Sequence, residues 1–314
     1  MTGKFPLPTA AIIDPVNRCN LNCHLCPTGQ KKLNYPQSFM SFETYKIILG
    51  KFPELKSLDL YNWGEPFLNP EIFDMIQYAK DKNIFVKMHT NLSLKKDDEF
   101  IISLVKHGPH WLVISLDGAS QESYSRFRVH GNYELVIDNI NKIKRLQNLN
   151  NAPRMVIIWK YLVNVYNEHE MARAQAIAKE LGVRIRFVPM SLGDDMIDII
   201  PHESLDERKK QWLPANKRYV LNQYLHDGSK PIFNGPCTYL FKKIIINPDG
   251  RVFPCCYITD ERHVFGNIIN EPLDAIWNNE KYEYSRSLFV KNEGIKYAGT
   301  TICKECGNYE KSAR

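Results

Sequence analysis

Three cysteines within eight residues, Cys19-Asn-Leu-Asn-Cys23-His-Leu-Cys26, constrain this chain more than any other feature. They follow directly on the first apolar β-type run, Ala10–Asp14. A structural zinc ion closes its shell with four ligands, and a ferredoxin-type cluster takes four thiolates. Three thiolates on one loop suit instead a four-iron cluster with one iron left open to a cofactor or substrate. His24 sits beside Cys23 and would point away from a metal shared by the three, so it does not complete a zinc site. The flanking Asn17, Arg18, Asn20 and Asn22 argue against ordinary buried thiols.

From residue 9 to about 190, apolar β-type runs alternate with longer helical patterns. The runs are Ala10–Asp14, Ser57–Tyr61, Ile84–His89, Trp111–Leu116, Met155–Val163 and Arg184–Pro189. Helical patterns lie near Ser41–Gly50, Pro70–Lys80, Asp97–Lys106, Tyr133–Gln147 and His169–Leu181. Asn69-Pro70 reads as a cap followed by a first-turn proline, and Gly182 as a left-handed helix end. Nearly continuous apolar strands imply a parallel sheet covered by helices. Six units are too few for an eight-fold barrel, so the expected class is α/β, an open, partial (β/α)6 barrel or a doubly wound sheet. Ligands bind at the C-terminal edge of such a sheet, where the cysteine loop lies.

The other cysteines stand far away, at 237, 255, 256, 303 and 306. Residues 1–190 are therefore read as the core, 191–236 as a connecting region without sustained period, and 237–314 as a small second domain. That domain opens on a hairpin signal, Phe241–Ile246, the turn 247–250 and Arg251–Tyr257, with a short helix at Pro272–Asn278. A hairpin thiolate or two plus the Cys303-x-x-Cys306 knuckle make a closed four-thiolate site, which zinc would also satisfy. The net charge of +6 is spread over the whole length, so nucleic-acid binding is not implied. No apolar run approaches the roughly 20 residues of a membrane span, and no signal peptide opens the sequence. A cytoplasmic location is expected, where clustered cysteines ligate metal or do redox chemistry rather than form disulfides.

The cysteine spacing, Gly64-Glu65-Pro66 after the second strand and Ser115-Leu-Asp117-Gly118 after the fourth together resemble the radical S-adenosylmethionine superfamily. The resemblance implies S-adenosylmethionine bound to a [4Fe–4S] cluster on Cys19, Cys23 and Cys26. Its reductive cleavage yields a 5′-deoxyadenosyl radical that abstracts a substrate hydrogen, with an external one-electron reductant such as flavodoxin or ferredoxin as partner. By the same resemblance, Gly64, Glu65 and Pro66 meet the cofactor's ammonium group, with Glu65 supplying a carboxylate. Ser115, Asp117, His89, Thr90 and Asn91 are placed for its ribose, Arg128 or Arg126 for its carboxylate, and Val188-Pro189-Met190 for the adenine. Leu25 departs from the pattern, which has an aromatic residue before the third cysteine.

Cys237, and Gly250 with Cys255 five residues beyond it, resemble the opening of the auxiliary domain called SPASM. Only Cys303-x-x-Cys306 follows, as in the shortened form called twitch, which implies one auxiliary [4Fe–4S] cluster on Cys237, Cys255, Cys303 and Cys306. Gly266-Asn267-Ile268 and Leu273–Trp277 resemble the closing part of this region. Neighbours on a strand face opposite ways, so Cys256 is read apart from Cys255, either as a small buried hydrophobe or as a hydrogen donor to a substrate radical. The auxiliary cluster as electron acceptor suits oxidation and a thiol such as Cys256 suits epimerisation, and the 18 residues before Cys19, too short for a fused peptide-recognition domain, favour a sugar-like or other small substrate. The alternatives are a peptide-modifying maturase and a non-catalytic zinc or electron-transfer protein.

Overall fold

The computed structural model describes residues 4–33, 36–149, 155–193, 203–225, 237–289 and 299–306. Six strands, β1 (Ala10–Ile13), β2 (Ser57–Asp59), β3 (Phe85–Thr90), β4 (Trp111–Ser115), β5 (Val156–Val163) and β6 (Arg184–Pro189), pair in parallel in sequence order. Helices α1 (Phe42–Gly50), α2 (Ile72–Asp81), α3 (Asp98–His107), α4 (Gln121–Phe127), α5 (Tyr133–Leu149) and α6 (Met171–Glu180) connect them. This is the expected partial barrel. Its core lies between sheet and helices, where Leu58, Val86, Leu112, Trp159 and Tyr161 are fully buried.

Local chemistry sets most boundaries. Ser41 and Asp97 cap α1 and α3 by accepting from Thr44 N and Phe100 N. Gly182 closes α6 at φ +64°, a left-handed conformation that glycine adopts without a Cβ penalty. Asn69-Pro70 does not start α2, which begins at Ile72; Asn69 ends a 3-10 turn at Pro66–Leu68 and accepts from Glu71 N through its side chain. Helix α4 was not foreseen, because its seven residues, QESYSRF, carry no apolar period.

The described part of the connecting region is more regular than its composition suggests. Within its described part lie α7 (Leu205–Trp212), started by a Ser204–Glu207 capping box, and the helical turn α8 (Asn222–Leu225). Trp212 is buried against Phe127, Tyr166 and His24, with ring centroids 5.4, 5.5 and 5.3 Å away. The segment thus packs over the cysteine loop.

After the short helix α9 (Thr238–Phe241), strand β7 (Lys243–Ile246) docks parallel on β1, in register from Ala10↔Lys243 to Ile13↔Ile246. Strands β8 (Arg251–Phe253) and β9 (Gly266–Asn267) continue antiparallel, and α10 (Leu273–Trp277) and α11 (Glu280–Ser287) cover them. The second domain therefore extends the barrel sheet as one nine-stranded surface. Among the described residues no helix is long and apolar enough to cross a membrane.

Candidate active site

The cysteine loop is held by the turn after β2. Glu65 N donates to Arg18 O at 2.7 Å, and a Cβ on Gly64 would sit 1.7 Å from Val16 O, so only glycine fits there. Beneath the loop, Asp14 is fully buried and accepts from Trp63 N at 3.1 Å. Burial pushes its carboxyl up to about 7, against four backbone N–H groups that pull it down. Between about pH 4 and pH 7 the folded protein thus keeps a proton that the unfolded protein has released, so this group subtracts stability as pH rises. Asp14→Asn is expected to remove that slope in urea unfolding compared at about pH 5 and about pH 8; identical slopes in both proteins would contradict it.

Glu65 is corrected by the structure. Its carboxylate, expected to meet an ammonium group, accepts instead from Thr90 Oγ1 (2.6 Å), Phe67 N (3.2 Å) and Asn91 N (2.7 Å), and is buried. Burial raises its pKa. Glu65 thereby clamps the end of β3 to the turn, and the turn's backbone meets the loop through Glu65 N. Thr90 is likewise spent inside this clamp. Asn91 reaches the cysteines: its Nδ2 donates to Asn20 Oδ1 at 2.9 Å and lies 3.7 Å from Cys19 Sγ.

Across the barrel, Asp117 is wholly buried and takes Arg128 Nε at 2.6 Å on one oxygen and Leu162 N at 2.7 Å on the other. Arg128 Nη1 stands 3.7 Å from Cys23 Sγ. Asp117 was expected at a ribose; its oxygens are used here to hold Arg128 and strand β5. Arg126 lies elsewhere, its guanidinium over the Tyr166 ring at 5.7 Å. Ser115 ends β4 nearby, 9% exposed. His89 stacks on Tyr61 (4.0 Å between centroids), and burial together with Lys160, Lys87 and Arg128 drives its pKa down to about 2, so the ring is neutral. Leu25 and the buried Met190 join the apolar cluster around Phe127 and Trp212, whereas Val188 and Pro189 are half-buried.

These surroundings fit an iron–sulfur cluster. Burial raises the thiols of Cys19 and Cys23 to about 12 and about 11, so the apo-loop holds protons that metal would displace. Leu21 N at 3.5 Å and Asn91 Nδ2 face one sulfur and Arg128 the other, donors that stabilise thiolate charge. Among the described residues no three His, Cys, Asp or Glu side chains converge on a single-ion position. A cubane does not require that, since each thiolate binds its own iron.

The second cysteine set also comes together. Cys237 heads α9, Cys303 and Cys306 bracket one turn with Cys306 N donating to Cys303 O, and Tyr257 N donates to Cys255 Sγ at 3.3 Å. Burial raises Cys303 to about 12, with Cys237 and Cys306 adding to it, while burial raises Cys237, with Cys306 and Cys256 near. The opposite-face reading of Cys256 fails, because β8 ends at Phe253 and both Cys255 and Cys256 lie in the following turn. Cys256 hydrogen-bonds its neighbour's thiol and meets Tyr239 Oη at 3.1 Å; the mutual bond lowers Cys256 and raises Cys255. Residues that sequence reading passed over are Asp14, Lys160, Trp212 and Tyr239. Of these, Lys160 carried a signal: one charge inside the apolar run IIWKYLV.

The model of the Radical SAM superfamily matches residues 13–159, and that of the SPASM iron–sulfur cluster-binding domain matches 237–307. The protein is a radical SAM enzyme with a C-terminal SPASM domain. Its cofactors are S-adenosylmethionine, the radical SAM [4Fe–4S] cluster and auxiliary iron–sulfur. This radical SAM enzyme is 25% identical over 289 residues to the AdoMet-dependent heme synthase of Methanosarcina barkeri, covering 83% of itself and 79% of that protein. It is 24% identical over 308 residues to the mycofactocin maturase MftC of Mycobacterium ulcerans, covering 93% and 78%. In structure it resembles Streptococcus suis SuiB bound to the precursor peptide SuiA, with a TM-score of 0.67, 15% identity, and 98% and 71% of the two proteins covered.

Proposed function

We propose that Cys19, Cys23 and Cys26 hold the catalytic cluster, that Cys237, Cys255, Cys303 and Cys306 hold one auxiliary cluster, and that the enzyme modifies a peptide. The observation that carries the site reading is the three-thiol loop at the C-terminal edge of β1, with Asn91 aimed at Cys19 and Arg128 at Cys23. When bound, the cluster and S-adenosylmethionine supply a carbon radical able to take a hydrogen atom. The protein's own part is positional. The Gly64 turn brings its backbone against the loop, Arg128 offers a fixed cation beside Cys23, and Ser115 a hydroxyl at a strand end. Trp212 and Phe127 exclude water from the loop's outer side.

The peptide reading replaces the expectation of a sugar-like or other small substrate. It is supported by the relative named as a maturase and by the same fold holding a precursor peptide in SuiB. The test incubates the reconstituted, reduced enzyme with S-adenosylmethionine and two pools, deuterated unmodified peptides and deuterated aminocyclitols. Deuterium is expected in 5′-deoxyadenosine from the peptide pool only; transfer from the cyclitol pool alone would reinstate the small-molecule reading.

A further inference from the structure

Among the described residues, the inward-facing side chains of the barrel sheet carry more positive charge than the acids paired with them neutralise. On its concave side, Asp59 is shared by Lys87 at 2.9 Å and Lys243 at 2.7 Å, and Asp117 is taken by Arg128. Both acids are thereby matched, Asp59 twice over. Two cations remain. Lys160 on β5 is in register with Ser115 on one side and Arg186 on the other. Its electrostatic neighbours are Asp117, Arg128 and Lys87, which places its ammonium among the inward-facing groups. Among the described residues neither Lys160 nor Arg186 is in an ion pair; Arg186 is exposed on the edge strand β6, open to an arriving ligand.

We propose that Lys160 and Arg186 form an anion subsite that takes a carboxylate of the substrate, from an acidic residue or from a peptide's free C-terminus. The proposal rests on the peptide reading for the substrate's scaffold, though the subsite itself recognises the carboxylate. Adjacent parallel strands lie about 4.8 Å apart, so in-register side chains can each meet one oxygen of the same carboxylate. Desolvation and the neighbouring cations disfavour the charged form of Lys160, and an arriving anion relieves both. A neutral residue such as leucine would fit this apolar strand at less cost, so the lysine is a specificity device rather than a packing choice.

The experiment measures equilibrium binding to the cluster-loaded, S-adenosylmethionine-bound enzyme by calorimetry, with matched acid and amide probes. These are Ac-Gly-Glu-Gly-NH2 against its Gln counterpart, Ac-Gly-Gly-Gly with a free against an amidated C-terminus, and glutarate against glutaramide. At least one acid is expected to bind about tenfold more tightly than its amide, as a charge-assisted pair does. That preference should fall below about twofold in Lys160→Met and in Arg186→Gln, the latter an exposed change that spares the fold. The peptide pair that shows the preference identifies the carboxylate's source. Preference in glutarate alone would keep the subsite and sink the peptide scaffold. No preference in any pair, no measurable binding of any acid, or a preference that survives both substitutions would overturn the subsite.

Discussion

Arg128→Met is expected to lower folding stability by about 3–5 kcal/mol, the loss typical when one partner of a buried ion pair is removed. The reason is Asp117, 0% exposed, whose carboxylate would keep only the hydrogen bond from Leu162 N and the more distant charge of Lys160. Arg128 is itself mostly buried, and its pairing with Asp117 outweighs the desolvation that opposes its charge. Arg128→Lys restores the charge but not the planar fork that spans Asp117 and Cys23, so it should recover only part of the loss. The double variant Arg128→Met/Asp117→Asn should be more stable than Arg128→Met alone, since no unpaired charge remains. Denaturant midpoints decide the matter: a loss below about 1 kcal/mol for Arg128→Met would mean the pair is solvated and weak.

Substitution of auxiliary cysteines is expected to halve the iron content. With the single auxiliary cluster proposed above, two four-iron clusters would give about eight irons per protein molecule, and Cys303→Ala or Cys306→Ala should leave about four. Cys256→Ala should leave about eight, because four other thiols complete the set and Cys256 is engaged with Tyr239 Oη and the Cys255 thiol. The informative comparison is Cys255→Ala against Cys256→Ala. Both thiols share one turn and one hydrogen bond, so their geometry alone is compatible with either as ligand. Retention of eight irons in Cys255→Ala with four in Cys256→Ala would reverse the assignment.

The six barrel strands were legible because each is a mostly apolar β-type run bounded by turn residues; β6 matches its predicted limits at both ends. The cysteine loop was legible because three thiols in eight residues have few structural uses. Less visible were features that depend on what a side chain faces. Nothing in Gly64-Glu65-Pro66 says that the carboxylate turns inward to Thr90 and Asn91, because those partners come from the next strand. Period-two patterning carries a strand on to Tyr257, whereas pairing with β9 stops at Arg251–Val252 and the backbone turns after Phe253, so Cys255 and Cys256 do not alternate faces. The docking of β7 on β1 joins residues more than 230 apart, a pairing that period-two patterning does not encode. Lys160 sits between, since the odd charge in an apolar strand was visible but the cations around it were not.

The central claim is that the three-thiol loop supports radical chemistry. Anaerobic reconstitution with iron and sulfide, then reduction with S-adenosylmethionine present, tests it by counting 5′-deoxyadenosine per protein molecule in the wild type and in Cys23→Ala. Cleavage in the wild type, with background levels and about four fewer irons in Cys23→Ala, is the predicted result. Bound zinc without cofactor cleavage, or cleavage that persists in Cys23→Ala, would contradict it.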